Sequence, residues 1–297
     1  MADIVRVIPR LDIKGPNLVK GIQFEGYRVL GTAEEFSEIY YREGADELIY
    51  QDTVASLYRR NSLLEMVRRT AENIFIPLTV AGGIRSVEDI RQILRAGADK
   101  VAINTAATEN LALLSEGARI FGSQCIVSSI EAFRHEDGRY RVWVDYGREA
   151  TSLDAVDWAR RVEDQGVGEI LLTAIRSEGM GAGYDLELVR RISSIVSVPV
   201  IACGGAGDAS DFAEVVREAG ADAVAAASVF HYHYARPKPG KTTMQFSEAR
   251  LRVGAQVDAG NIDFLNDGYG GQRAVMVEPC SIPQAKASMR ARGVPVR

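Results

Sequence analysis

The sequence predicts an α/β protein, a (β/α)8 TIM barrel built from two repeated half-barrels. Three observations predict it. First, one block occurs twice. Ile76-Pro77-Leu78-Thr79-Val80-Ala81-Gly82-Gly83-Ile84 returns as Val198-Pro199-Val200-Ile201-Ala202-Cys203-Gly204-Gly205-Ala206, a shift of 122 residues (204 − 82). Each copy continues through an amphipathic stretch to Gly97-Ala98-Asp99 or Gly220-Ala221-Asp222 and then into a short apolar strand. Second, short β-branched runs alternate with runs of helical period along the chain, the pattern of strands joined by helices. Third, the strands read as continuously apolar rather than alternating, as parallel strands covered on both faces do. A doubly wound sheet is the alternative. A repeat of roughly half the chain length favours the barrel, because four units and four units close a ring.

The strands are expected at Arg6–Leu11, Glu47–Gln51, Pro77–Ala81, Lys100–Ile103, Cys125–Ile130, Glu169–Ala174, Val200–Ala202 and Ala223–Ala226. Helices are expected between them. Thr32–Glu43 opens on Thr32, with Glu35 at the capping-box position. Ser86–Ala96 opens on Ser86 and places Glu88 and Asp89 near its positive dipole end. Asn110–Phe121, Leu153–Gln165, Leu186–Ser194, Ala209–Ala219 and a last helix near Ile282–Arg292 continue the pattern. Residues 1–297 therefore read as one barrel domain, with an unusual insertion at about 235–280 after the eighth strand. The insertion contains Pro237, Pro239, Gly240 and Gly268-Tyr269-Gly270-Gly271 and shows no clear period. A connection of about fifty residues is usually functional or disordered, so it reads equally as a surface elaboration or a lid.

Composition narrows the function. The chain is 46% hydrophobic and 25% charged, as a globular protein is, and its net charge of −5 argues against nucleic acid as main partner. Its longest apolar runs fall short of the roughly 20 residues that span a bilayer. Arg6, Arg10 and Asp12 interrupt any leader, so no membrane partner is expected. Cys125, Cys203 and Cys280 are odd in number and lack metal-ligand spacing, which suits a reducing cytoplasm. No metal is expected; His231 and His233, at strand spacing, are the one pair that could make a two-ligand corner.

Barrel active sites lie at the C-terminal ends of the strands. Asp12 ends the first strand and Glu131 the fifth, a shift of 119 residues (131 − 12), close to the repeat. The two carboxyl groups should face each other across the mouth, suited to acid and base work on one substrate. The bland alternative is a surface acid, or one paired with Lys14 or Lys20. The glycine pairs are a second signal. Gly82-Gly83 stands beside Asn104-Thr105, and Gly204-Gly205 beside Ala227-Ser228. Glycine lets a phosphate approach backbone N–H groups, so the repeat predicts two phosphate sites on opposite sides. At the other end, Arg6, Glu47, Lys100 and Glu169 each open a strand. They must pair to offset desolvation, as a structural ring or as a gated passage.

These residues resemble the cyclase subunits of imidazole glycerol phosphate synthase. The matching runs include Gly44-Ala45-Asp46-Glu47-Leu48, Gly83-Ile84-Arg85-Ser86-Val87-Glu88-Asp89, Arg95-Ala96-Gly97-Ala98-Asp99-Lys100-Val101, Phe121-Gly122-Ser123-Gln124-Cys125 and Gly183-Tyr184-Asp185-Leu186-Glu187-Leu188. They cover the chain apart from about 235–280. The resemblance implies a cofactor-independent lyase, paired with a glutaminase subunit as a heterodimer. Ammonia would pass through the barrel to a bis-phosphorylated aminoimidazole carboxamide ribulosyl nucleotide, giving imidazole glycerol phosphate and aminoimidazole carboxamide ribotide. It implies catalytic roles for Asp12 and Glu131. It implies phosphate contacts at Gly83, Asn104, Thr105, Gly179, Gly205, Ala227 and Ser228, with Lys20, Gly82, Thr173, Glu178 and Gly204 on the same substrate surface. Arg6, Glu47, Lys100 and Glu169 become an ammonia gate, and Asp99 faces the glutaminase.

The chain departs from that pattern in places. Glu131 replaces an aspartate, one methylene shorter, and catalysis is sensitive to such displacement. Arg10 stands where the family has cysteine and needs an anionic partner if it faces the core. Arg176-Ser177-Glu178-Gly179 replaces Asp-Arg-Asp-Gly, and Val144-Asp145-Tyr146-Gly147 replaces Thr-His-Gly-Gly. Two alternatives therefore stay open: a paralogue delivering ammonia to another acceptor, as in amidation of surface sugars, and a non-catalytic activator of a glutaminase. A related isomerase with two phosphate sites is disfavoured by the gate residues and by Phe121-Gly122-Ser123-Gln124.

Overall fold

A computed structural model describes residues 4–54, 63–235 and 276–297. Eight parallel strands close on themselves: β1 (Arg6–Lys14), β4 (Leu48–Asp52), β5 (Leu78–Ala81), β6 (Lys100–Ile103), β7 (Ile126–Arg134), β10 (Glu169–Ala174), β11 (Val200–Cys203) and β12 (Ala223–Ala226), with β12 pairing back to β1. The insertion expected at about 235–280 falls mainly on 236–275, outside the described residues.

Two strands, β1 and β7, run well past their expected ends, while β4 and β11 each gain a single residue. β1 continues to Lys14 because Asp12–Lys14 pair with an antiparallel strand, β2 (Asn17–Ile22), which turns into β3 (Glu25–Thr32). β7 continues to Arg134 because Glu131–Arg134 pair with β8 (Tyr140–Val144), which turns into β9 (Glu149–Asp154). The hairpins thus occupy equivalent places in the two halves and carry the strands carrying the two acids above the barrel rim.

Closure makes side chains alternate between the barrel axis and the helices. Ile8, Ile49, Ala81, Ala102, Val127, Leu171, Ile201 and Ala225 form an apolar interior cluster. Their neighbours Val7, Leu48, Val80, Val101, Ile126, Leu172, Ala202 and Val224 join the larger core. The helices dock on this outer layer. They are α1 (Ala33–Arg42), α2 (Leu64–Asn73), α3 (Val87–Arg95), α4 (Thr105–Glu109), α5 (Ala112–Phe121), α6 (Ala155–Glu163), α7 (Leu186–Ser193), α8 (Asp211–Ala219), α9 (Ser228–Ala235) and α10 (Ile282–Ala291). Thr32, Ser86, Asp154 and Asp185 each cap the following helix through a side-chain oxygen. Ser281 and Gln284 form a capping box at α10.

Helix α9 was not expected as a helix. Ser228–Tyr232, Tyr234 and Ala235 are all buried, so it has no polar face to reveal its period. It also corrects the reading of His231 and His233. They lie on a helix, not a strand, where residues two apart face different ways. His231 is buried against the Tyr40 hydroxyl, and burial drives it down to about 3, so it is neutral. No His, Cys, Asp and Glu cluster able to hold a metal occurs among the described residues.

The Gly-Ala-Asp motif has a mechanical explanation. Asp46, Asp99 and Asp222 each precede a barrel strand, and each carboxylate accepts the backbone N–H at the start of the strand before it. The partners are Val7, Leu78 and Val200, all at 2.8 Å. Each aspartate N–H also donates back to that residue's carbonyl, at 3.1, 2.9 and 3.0 Å. The motif pins neighbouring strands at the barrel's base. Asp46 further accepts from Lys286 on α10 at 2.8 Å, and Lys286 also donates to the Gly44 carbonyl at 2.7 Å. Both charges are buried, so losing one leaves the other unpaired. Lys286→Met is expected to lower unfolding free energy by about 3 kcal/mol, read from the denaturant midpoint.

Candidate active site

Both ends of the barrel interior are charged. At the N-terminal end Arg6, Glu47, Lys100 and Glu169 form a closed ring. Arg6 Nη1 lies 2.6 Å from Glu47 and 2.9 Å from Glu169, and Lys100 Nζ lies 3.1 Å from each. The sequence places these residues at strand openings, and the structure brings all four together. Asp99 lies beside Lys100 in the chain and is exposed, with Oδ2 taken by the Leu78 N–H.

At the C-terminal end the inward side chains above the apolar layer are polar. Thr173 on β10 is level with Glu131 on β7, and both are buried. Glu131 lines a cavity of about 340 Å³ together with Gly82, Gly83, Asn104 and Thr105, so the first-half cradle and the acid share one space. Thr105 accepts from the Asp145 N–H at 3.1 Å and Asn104 donates to the Trp143 carbonyl at 3.0 Å, which seats the β8–β9 turn on the cavity wall. Sequence reasoning missed Arg85, Gln51 and Ser129 on the same wall. Arg85 had a readable signal: it is a cation two residues beyond a glycine pair.

Burial raises Glu131 to about 7. The Arg10 guanidinium and a Gly147 backbone hydrogen bond pull it down, and Asp12 pushes it up. Its buried Oε2 makes no hydrogen bond. A carboxyl group that is half protonated near neutral pH and borders a cavity is equipped to give or take a proton.

Asp12 is placed differently. It is fully buried and outside the lining of this cavity. Arg10 reaches its Oδ1 at 2.8 Å, and Lys20 lies 3.5 Å from Oδ2. Lys20 also pairs with Glu178. The pairing of Asp12 with Lys20 is thus present, and Arg10 has the anionic partner its position demands. Arg176, which replaces an acid of the family pattern, is exposed, lies over the Phe133 ring and donates to the Arg134 carbonyl at 3.2 Å.

In the second half, protein backbone explains the glycines. A Cβ on Gly205 would stand 2.0 Å from the Gly183 carbonyl oxygen, one on Gly204 2.8 Å from that of Ala174, and one on Gly179 2.7 Å from that of Gly21. All three have φ between +73 and +118. Ala227 and Ser228 are buried at the start of α9. These five residues cluster at the ends of β10, β11 and β12, outside the lining of the first cavity.

A duplicated barrel that carries a raised-pKa acid beside a cavity at the C-terminal ends of its strands has the arrangement of a barrel enzyme. The comparisons narrow this. Residues 6–236 match the family model described as histidine biosynthesis protein, and the chain belongs to that family. It is similar to proteins named imidazole glycerol phosphate synthase subunit HisF. The one from Legionella pneumophila is 63% identical over 208 residues, 70% of this chain and 98% of that protein. Those from Methanopyrus kandleri and Myxococcus xanthus are each 50% identical, over 78% and 83% of this chain and 92% and 94% of theirs.

The Glu131 shift has a consequence for stability. Its folded pKa, about 7, exceeds the ordinary carboxyl value, so the folded state holds its proton longer than the unfolded chain. That contribution is present below the unfolded value and is lost as pH rises through about 7. Glu131→Gln should therefore gain stability relative to the parent between pH 5 and 8, by roughly 3 kcal/mol in paired denaturant titrations.

Proposed function

We propose that this chain is the cyclase subunit of a glutamine amidotransferase complex. It receives ammonia from a glutaminase partner at the charge ring and uses it at the mouth. There it converts the bis-phosphorylated aminoimidazole carboxamide ribulosyl nucleotide into imidazole glycerol phosphate and aminoimidazole carboxamide ribotide. The observation that carries this reading is the barrel's axial order: a ring of four paired charges, an apolar interior, then an acid bordering a glycine-lined cavity. An apolar interior admits neutral ammonia and strongly disfavours ammonium. The family membership and the names of the relatives agree with it.

The residues take these roles. Gly82, Gly83, Asn104, Thr105 and Arg85 receive one phosphate. Gly179, Gly204, Gly205, Ala227 and Ser228 receive the other through backbone N–H groups at the ends of β10, β11 and β12, with Thr173, Lys20 and Glu178 on the path between. Adding an amine to a carbonyl and closing a ring require a proton to reach departing oxygen and to leave nitrogen, and Glu131 and Asp12 are the acids at that level of the barrel. Asp99 lies on the face that carries the ring and there meets the glutaminase.

The test is turnover of the precursor by purified protein with ammonium salt and no partner. Formation of imidazole glycerol phosphate is expected, with Asp12→Asn and Glu131→Gln each lowering it by about 10²–10⁴-fold. A folded protein that binds a glutaminase and leaves the precursor untouched would mean a different ammonia acceptor. Lys100→Met breaks the ring without touching the mouth. With a glutaminase partner it should lower glutamine-fed turnover about tenfold while ammonium-fed turnover stays within about threefold of the parent.

A further inference from the structure

The apolar layer between the charge ring and the mouth is not equally bulky all round the barrel. On β1, β4, β7, β10 and β11 its side chains include Ile8, Ile49, Val127, Leu171 and Ile201. On β5 and β6 they are only Ala81 and Ala102, and on β12 only Ala223 and Ala225. Ala81 pairs with Ala102, and Ala225 pairs with Ile8 and with Cys203. The layer is therefore thin at two places, β5–β6 in the first half and β11–β12 in the second.

What lies above each thin place differs. Over β11–β12 lies Arg10, 2% exposed. Its Nη1 is 3.3 Å from Cys203 Sγ, its Nη2 2.8 Å from Asp12 Oδ1 and 3.1 Å from the Tyr146 hydroxyl. A guanidinium held by three partners fills that side, and displacing it would break a buried ion pair. Over β5–β6 there is a cavity instead. Ala81 and Ala102 belong to the interior cluster and also line the space of about 340 Å³ that Glu131 borders. Their methyl groups alone separate the apolar interior from that cavity. Gln51 and Ser129, both buried, flank them on β4 and β7, two residues beyond Ile49 and Val127. Side chains two apart on a strand share a face. One face of β6 therefore runs from Lys100 in the ring, through Ala102, to Asn104 on the cavity wall.

We propose that ammonia enters the active-site cavity off the barrel axis, through its floor at Ala81 and Ala102, and that Arg10 closes the other way out past Cys203 and Ala225. The proposal rests on the function proposed above and adds the route by which its nucleophile arrives. Neutral ammonia passes between methyl groups at small cost, whereas the Arg10 side offers a fixed charge and no free space. Ammonia then emerges between Gln51 and Ser129, in the cavity that holds Glu131 and the Gly82-Gly83 cradle.

The test adds matched bulk to the two thin places of the layer. Full-length protein is assayed in complex with a glutaminase for imidazole glycerol phosphate formed per glutamine hydrolysed. The same preparations are assayed with ammonium salt, where ammonia arrives from solvent through the mouth. Ala102→Val thickens the floor and should lower the product-per-glutamine ratio about fivefold or more, with ammonium-fed turnover within about threefold of the parent. Ala225→Val adds the same volume on the far side and should leave the ratio within about twofold. An unchanged ratio in folded Ala102→Val overturns the proposal. So does an equal fall in Ala225→Val, which would mean passage along the axis. An equal loss of glutamine-fed and ammonium-fed turnover in Ala102→Val also overturns it, because the floor then serves the substrate or the fold. If Ala102→Val does not fold, Ala81→Val on the paired strand takes its place with the same expectations. A parent active with ammonium but not with glutamine overturns the proposed route and leaves the cyclase reaction standing. A parent inactive with both overturns the function proposed above, and the route with it.

Discussion

Eight closed strands give this protein one shared axis, and every inward side chain must be accommodated there. Nothing polar can sit in the middle without a partner, because water is excluded and an unpaired charge would carry a large desolvation cost. The middle layer is accordingly Ile8, Ile49, Val127, Leu171, Ile201 and small alanines. Charges are displaced to the two ends, where partners from several strands converge. The ring at the base and the acid-bearing mouth follow from the same constraint.

At each end pairing does different work. At the base, two cations and two anions alternate, so each carboxylate meets both cations and each cation both carboxylates. Such a ring is electrically closed, and Asp46 and Asp99 pin the strand starts that carry Arg6, Glu47 and Lys100. At the mouth the pairing is uneven. Asp12 is held by Arg10 and Lys20, whereas Glu131 has burial against it and less charge to compensate. An uneven arrangement leaves one acid ready to change protonation near neutral pH, which a fully paired set would not.

The barrel, its duplication and seven of its helices were legible because their signals are local: a repeated block, apolar strand runs, and caps such as Ser86 and Ser281. The base ring was legible as four charged strand openings, although only the closed sheet shows their contacts. The hairpins were not legible as elements from periodicity. Gln23 and Phe24 take φ values of 48° and 66°, and Asp145 and Tyr146 take 50° and 58°. Such turns normally announce themselves with Gly or Asn, and neither tip places Gly at these four positions. Helix α9 was hidden by burial on all sides, and Asp12's pairing with Arg10 by contacts that Arg10 makes to distant elements, Cys203 on β11 and Tyr146 in the β8–β9 turn.

The two hairpin tips show how the halves have diverged within one plan. Both occupy the same place in the repeat, both hold two non-glycine residues in left-handed conformation, and their aromatic side chains touch over the barrel mouth. Left-handed backbone at such residues costs on the order of 1–2 kcal/mol each and persists only where surrounding contacts enforce it. Here the enforcing contacts are Phe24 on Tyr146 and both rings near Arg10. A Cβ on Gly147 would stand 2.5 Å from the Phe24 ring, so that glycine is also required for the approach. Arg10 therefore bears on two features at once. The cation that engages Asp12 also donates to the Tyr146 hydroxyl beneath the joined tips, so the ion pair on β1 and the contact between the tips share one side chain.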